Sequence, residues 1–434
     1  MLQRLFKEFS MRKVFLFSLV LAILVMGASL VSAQDEVTID WWHISTEASQ
    51  AAYWQDIADQ YMAEHPNVTI NITILENAAF KDRLVTVMQA GDPPDLFESW
   101  GGAVLWTYAD NGLVRNITPE LEGEWKDSFS AQAALNLFGQ DGEYYGVPWT
   151  WGAVGFFYNK ALFEQAGLDP ENPPATWDEF LSAIQTLKDA GITPLALGEQ
   201  EKWPGHFWWV YLATRLGGEE AFLNAYNRTG SFADEPFVQA GEYLQQIIDL
   251  DPFNAGYLGL TWPEMAGVFG NGDAAMMLMG QWAPDAQAQY SASGDGIGRE
   301  NMGWFPFPAI PEGAGNPDDV LGGGDGFVVG ANAPDETVDF LRFLTSAENQ
   351  RVGAGLFIIP TVAAAEDAVA SDPLLGSILE ARNAAPYFQL YYDQFLPPSV
   401  GEAVNDAVET LFAGAATPEE AAQAVEEAAS FELD

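Results

Sequence analysis

The chain has 434 residues, a formal net charge of −45, 48% hydrophobic and 18% charged residues, and no cysteine. It is too long for one ordinary domain and has the composition of a folded protein, so two core-bearing domains are expected and a disordered chain is excluded. The charge argues against nucleic acid or anionic lipid as a partner, and the missing cysteines exclude disulfides, a thiol nucleophile and a lipidated-cysteine anchor.

Arg4, Lys7, Arg12 and Lys13 precede an apolar run from Val14 to Met26. The run ends in "GASLVSA", with the small residues that a signal peptidase reads. Residues 1–33 are therefore expected to be a signal peptide cleaved after Ala33, and the protein to be exported to the periplasm or cell exterior. An uncleaved anchor is the competing reading, and Met11 is a second candidate start.

"VTIDWW" reads as a strand. The next segment puts Trp54, Ile57, Ala58 and Tyr61 on one helical face and stops at Pro66. "NVTINITIL" alternates, with Val68, Ile70, Ile72 and Ile74 pointing one way. A helix over 80–90 closed by Gly91 and a strand in "PPDLFES" complete a β-α-β-α-β pattern, the mark of an open α/β sheet. A second α/β region starts near "VPWTWGAVGFFYNK". It includes a helix from Thr176, capped by Glu179 and ended by Gly191, and strands in "ITPLAL", "AAMMLMG" and "GFVVG". The last helix opens at Thr417-Pro418.

"DGEYYGVPWTW" and "FPFPAIPEGAGNPDD" look like crossings between domains. The expected division is lobe 1 over 34–148, lobe 2 over 149–306, a return to lobe 1 over 307–355, and a C-terminal segment, 356–434, mainly on lobe 2. Two such lobes form a cleft, and ligands of open α/β sheets sit at the carboxyl ends of the strands.

Catalytic patterns are missing. There is no Gly-x-Ser-x-Gly elbow and no P-loop, and His43, His65 and His206 lack metal spacing. No catalytic residue, metal or cofactor is nominated. Tryptophan stands out instead: 15 occur, many beside Gly, Pro or small polar residues. Examples are Trp149-Thr150-Trp151, Trp208-Trp209, Trp262-Pro263 and Gln281-Trp282. Sugars present apolar C–H faces ringed by hydroxyls, and aromatic faces beside polar side chains suit them. Each single tryptophan is as easily a core residue; the set points to a carbohydrate cleft. Trp125 and Trp177 are assigned to packing.

"WGAVGFFYNKALFEQAGLDPENPPATWDEFLSAIQTLKDAG" resembles the central signature of the extracellular solute-binding protein family 1, the sugar receptors of ABC importers, to which maltose-binding protein is related. "GDPPDLFESWGG", "FGNGDAAMMLMGQW" and "GGGDGFVVGANAP" also match, and together the motifs span about residues 36–430. The resemblance implies an α/β protein with the two-lobe periplasmic-binding fold of type II, its discontinuous domains joined by a multi-segment hinge. It implies a membrane permease as partner, a neutral oligosaccharide as ligand, and a monomer. By resemblance, His43 and Glu47 follow the first strand where ligand is often met, Trp100 faces the cleft from lobe 1, Trp282 stacks on a sugar ring, and Gly324 and Asp325 form a cleft loop. In "KWPGHFWWVY", residues 202–211, His206 and Trp208 are expected at the cleft mouth, with one of Trp208 and Trp209 facing ligand and the other in the core. A secreted glycoside hydrolase or lyase with a tryptophan-lined cleft, and a receptor of the same fold for a polyol, are the alternatives.

Overall fold

The computed structural model describes residues 35–370 and 372–433. The expected signal segment, residues 1–33, lies outside them. Among the described residues no helix is long and apolar enough to cross a membrane.

The strands that organise the molecule are β1 (Val37–His43), β2 (Val68–Ile74), β3 (Leu96–Ser99), β4 (Gly146–Pro148), β5 (Gly152–Ala153), β6 (Gly155–Asn159), β7 (Leu195–Ala196), β8 (Met276–Met279), β9 (Met302–Phe305), β10 (Val320–Gly323), β11 (Gly326–Val329) and β12 (Phe388–Leu390). They build two lobe sheets and a small sheet between them. The first lobe sheet has the order β2-β1-β3-β11-β4, and the second β9-β6-β8-β7. The linking sheet is β12-β10-β5. The chain therefore leaves the first sheet by β4, passes through β5, and enters the second at β6. It returns from β9 through β10 to β11. A two-lobe body on a multi-segment hinge follows from this path.

In the first lobe β1 pairs in parallel with both β2 and β3. Helices α1 (Ala48–Glu64) and α2 (Asn77–Ala90) make the connections, as the alternating pattern predicts. Trp54, Ile57, Ala58 and Tyr61 are all buried on α1. The alternation in β2 holds only in part. Val68 and Ile70 are buried, but Ile74 is 40% exposed, because β2 is an edge strand whose far end runs past its cover.

In the second lobe α3 (Trp177–Asp189) has the expected capping box: Thr176 accepts the Glu179 N–H at 3.4 Å and the Glu179 carboxylate accepts the Thr176 N–H at 3.0 Å. Its centre is α4 (Trp203–Tyr226), which breaks at Gly218, where φ is 64°. Every residue of α4 from Pro204 to Leu216 is buried. A helix apolar all round belongs inside a core. Arg215 of α4 is fully buried, and its guanidinium donates to the carbonyls of Phe307, Pro308 and Asp319. One side chain thus satisfies and fixes the Pro/Gly-rich crossing between β9 and β10.

Three further helices matter for the site or frame it: α5 (Trp262–Gly270), α6 (Ala283–Tyr290) and the terminal α7 (Pro418–Glu432), which starts at Thr417 with its own capping box.

Candidate functional site

The cleft between the lobes holds about 1010 Å3 of empty space up to its open mouth. It lies at the carboxyl ends of β1, β3 and β8, where open α/β sheets place ligands. Lobe 1 contributes the residues after β1, the first turn of α2, and Glu98 and Trp100 around the end of β3. The hinge crossings contribute Trp149, Thr150 and Asp325. Lobe 2 contributes the first turns of α4 and α5 and the residues after β8.

Three indoles make an aromatic corner on lobe 2. Trp203 lies 5.7 Å from Trp262 and 6.3 Å from Trp282, with planes inclined at 61° and 57°. Rings at such angles wall two sides of a ligand instead of stacking on each other. Each indole is held by its local sequence. Trp262 opens α5 directly after Thr261, which forms a capping box with Glu264, and its backbone N–H donates to the Glu201 carboxylate at 3.1 Å. Trp282 folds back over Gly280, where a Cβ would come within 2.1 Å of its ring. Gln281 turns the other way, over Gly152, where a Cβ would meet its Oε1 at 2.1 Å. That buried Oε1 has no hydrogen-bond partner among the described residues, and Gln281 borders the cavity.

The polar floor is mostly carboxyl. Glu98 is 1% exposed and accepts the Ile44 N–H at 2.8 Å. Burial, with Asp325 close by, pushes its pKa well above the usual carboxylate range. Burial also raises Asp325, to about 7, against the pull of a Trp100 hydrogen bond and the Lys81 charge. Glu47 is raised to about 7 by burial and by the facing Asp285. Burial alone would raise Asp393 too, but Lys81, 3.6 Å away, and His206, 3.9 Å away, hold it below its usual value. His206 itself is depressed by burial, and neither of its ring nitrogens has a hydrogen-bond partner.

Glu47, Trp100, Trp149, His206, Trp262, Gln281, Trp282 and Asp325 all border this cavity. Four other expected residues do not. His43 is fully buried just before the lining segment, packed against Trp41 at 5.0 Å and Trp54 at 6.2 Å. Burial lowers its pKa to about 3, and its Nδ1 accepts the Ser45 N–H. Trp151 stacks on Phe388 at 4.2 Å in the hinge. Gly324 presses against Thr150 and Trp151, where a Cβ would come within 2.5 Å of both; it lets the crossing strands pass closely and leaves the cleft to its neighbour Asp325.

The fourth is Trp208. Neither it nor Trp209 faces the cleft. Trp208 is 1% exposed among Phe156, Phe180, Phe253 and Phe307, and the Trp209 indole donates to the Phe237 carbonyl at 3.1 Å. The reason is helical spacing. Trp203, His206 and Phe207 stand at i, i+3 and i+4 and share the cleft face of α4, while the next two residues turn away into the core.

Sequence reasoning passed over Trp203, Lys81, Glu98, Tyr391 and Asp393, which also line the cavity. For Trp203 the i, i+3, i+4 triplet in "WPGHF" was the available signal. For Glu98 it was an acid inside a short strand whose four residues are all buried. Nothing local marks Lys81 or Asp393.

A model of the bacterial extracellular solute-binding proteins matches residues 45–351, well over half of the chain. The protein belongs to this family. An ABC transporter extracellular-binding protein of Pyrococcus horikoshii, itself uncharacterized, is 27% identical over 319 residues, 71% of this chain and 67% of the relative. Among solved structures, a protein from work on xylan utilization by the thermophilic bacterium Caldanaerobius polysaccharolyticus is 28% identical with a TM-score of 0.83, covering 90% of this chain and 99% of that one. A chitin oligosaccharide binding protein is 26% identical with a TM-score of 0.84, covering 92% of this chain and all of the other.

Proposed function

We propose that this solute-binding protein is the exported receptor of an ABC importer, that its cleft takes a neutral, short oligosaccharide, and that it releases the ligand chemically unchanged to a membrane permease. It acts as a monomer. The observation that carries the reading is the pairing, in one cavity, of the Trp203–Trp262–Trp282 corner with hydrogen-bonding groups left without protein partners, Gln281 and His206. Aromatic faces suit the C–H faces of a pyranose, and groups able to donate or accept suit its hydroxyls. Neutrality follows from the charge inventory. Among the described lining residues the one lysine is engaged by Asp393 and lies over the Trp100 ring at 4.8 Å, so among them no free lysine or arginine awaits an anionic group. The chitin oligosaccharide binder and the protein from xylan utilization support a sugar chain as ligand.

A hydrolase needs one carboxyl kept as an acid and a second kept ionised across the scissile bond. Here the buried acid, Glu98, is tied to the Ile44 backbone, and the ionised carboxyl, Asp393, is engaged by Lys81, so neither is free to serve a scissile bond. That argues for binding without turnover.

The test is a calorimetric and thermal-shift panel of neutral xylo-, gluco- and chito-oligosaccharides. A ligand at a hundred times its dissociation constant stabilises by about 2.7 kcal/mol, and it should be recovered intact. Stabilisation by charged solutes alone, or cleavage products from the bound sugar, would overturn the reading.

A further inference from the structure

Helix α1 begins without a cap of its own. Its Ncap residue, Glu47, makes no side-chain hydrogen bond to the helix, and no acidic residue occupies the first turn. The leading N–H groups of a helix need acceptors, and the helix dipole favours negative charge beside them. Both come from across the cleft. Gln289 Oε1 accepts the Ala48 N–H at 2.7 Å. Asp285 Oδ2 brings the negative charge, accepting from the side chains of the first turn, the Ser49 hydroxyl at 2.8 Å and the Gln50 side-chain Nε2 at 3.4 Å. Gln289 also donates to the Thr46 carbonyl at 3.3 Å, and the Thr46 and Tyr290 hydroxyls share a hydrogen bond at 3.0 Å.

On one side every one of these groups follows β1 in lobe 1; on the other every one belongs to α6 in lobe 2. Asp285 and Gln289 are four residues apart on α6, so a single helical face carries both. Neither borders the cavity, and nor does Ser49.

We propose that α6 is a latch that caps α1 from the opposite lobe, so that Asp285 and Gln289 set the affinity for solute without touching it. When the lobes part, these bonds break together and the α1 terminus is left to water. The latch thereby raises the closed population of the free protein. A ligand that needs the closed state binds tighter in proportion to that population. The inference rests on reading the cleft as a closing solute site, but not on which solute fills it.

The test is done on the full, ligand-free chain. It has no cysteine, so spin labels can be attached through Asp82→Cys and Leu258→Cys, exposed positions on lobes 1 and 2 outside the cavity lining. Pulsed electron–electron distance measurement should show a short-distance population. Adding Gln289→Ala should lower the closed-to-open ratio about fivefold, the usual effect of losing a helix cap, and adding Asp285→Ala should lower it further. Asp285→Asn, which keeps an acceptor oxygen, should retain most of the short population. Circular dichroism checks that each variant folds, and Ser49→Ala carries the same comparison if one does not. Identical distance distributions with and without the α6 substitutions would overturn the proposal, as would a free protein with only the long distance. No sugar is present, so a failure of the oligosaccharide reading leaves this outcome unaffected.

Discussion

Lys81 and Asp393 come from opposite ends of the chain and meet at the cleft floor, Nζ to Oδ2 at 3.6 Å. Asp393 is nearly enclosed, with 9% of its side chain exposed, while 36% of Lys81 is exposed. The lysine is one reason that the carboxyl stays ionised despite its burial.

Lys81→Met should therefore leave Asp393 buried without its lysine partner. Removing one partner of a buried pair costs more than the pair contributes. Because Lys81 is partly solvated, a loss of about 1–2 kcal/mol is expected at pH 7. A lowered carboxyl stabilises above its unfolded pKa and loses that contribution as pH falls through its folded one. The deficit of the variant should accordingly shrink toward pH 3. Urea melts of both proteins at pH 7 and pH 3 read this directly; an equal deficit at both would assign the loss to packing.

Trp208→Ala and Trp282→Ala should part company. Trp208 is a core residue, and its removal should cost about 3–5 kcal/mol of stability while leaving the affinity of the folded fraction near wild type. Trp282 borders the cavity, so its removal should weaken sugar binding by about tenfold or more with a much smaller loss of stability. Paired calorimetric titrations and thermal melts check this. Normal binding by a destabilised Trp282→Ala would return that indole to the core.

The free protein should become less stable as pH rises from about 5 to 7.5. Asp325 and Glu47 have folded pKa values of about 7, above the usual unfolded values near 4. In that window the native state holds protons that the unfolded chain has released, so the unfolding free energy falls with pH. Carboxyls held low, such as Asp393 and the Arg228-paired Glu426, are ionised in both states there and add no slope; His43 and His206, held low by burial, slope the other way, while the raised Glu98 and Glu199 add to the fall. Each raised group contributes roughly 2–4 kcal/mol across the window. Asp325→Asn should make the slope shallower, measured as melting temperature against pH. A flat profile in the parent protein would contradict the account.

Much of the frame was legible because it is written locally. The first half of the alternation in β2, the capping box at Thr176, the N-cap at Thr417 and the glycine after α3 each report on a few neighbouring residues, and the structure shows them. The β-α-β-α-β run of lobe 1 follows from the same signals. The site was legible only where a cleft residue sits inside a recognisable motif, as Trp282 does in "GQW" and Asp325 in "GGGDG". Adjacent tryptophans at 208 and 209 misled, since their crowding marks a helix buried on all sides, and the phase of that helix is set by lobe packing. Lys81 and Asp393 stand 312 positions apart in a chain of 434 residues; no local pattern brings such a pair together. The capping of α1 by α6 is equally non-local, since Glu47 in isolation resembles an ordinary Ncap.

The central claim is that both lobes grip one solute and close on it. Small-angle scattering of the protein, with and without a saturating oligosaccharide from the panel, tests it most directly. The account predicts a smaller radius of gyration with the sugar bound, because contacts to Asp325 and Trp100 on one side and to Trp203 and Trp282 on the other are made together only when the lobes meet. An unchanged radius at full occupancy would contradict it.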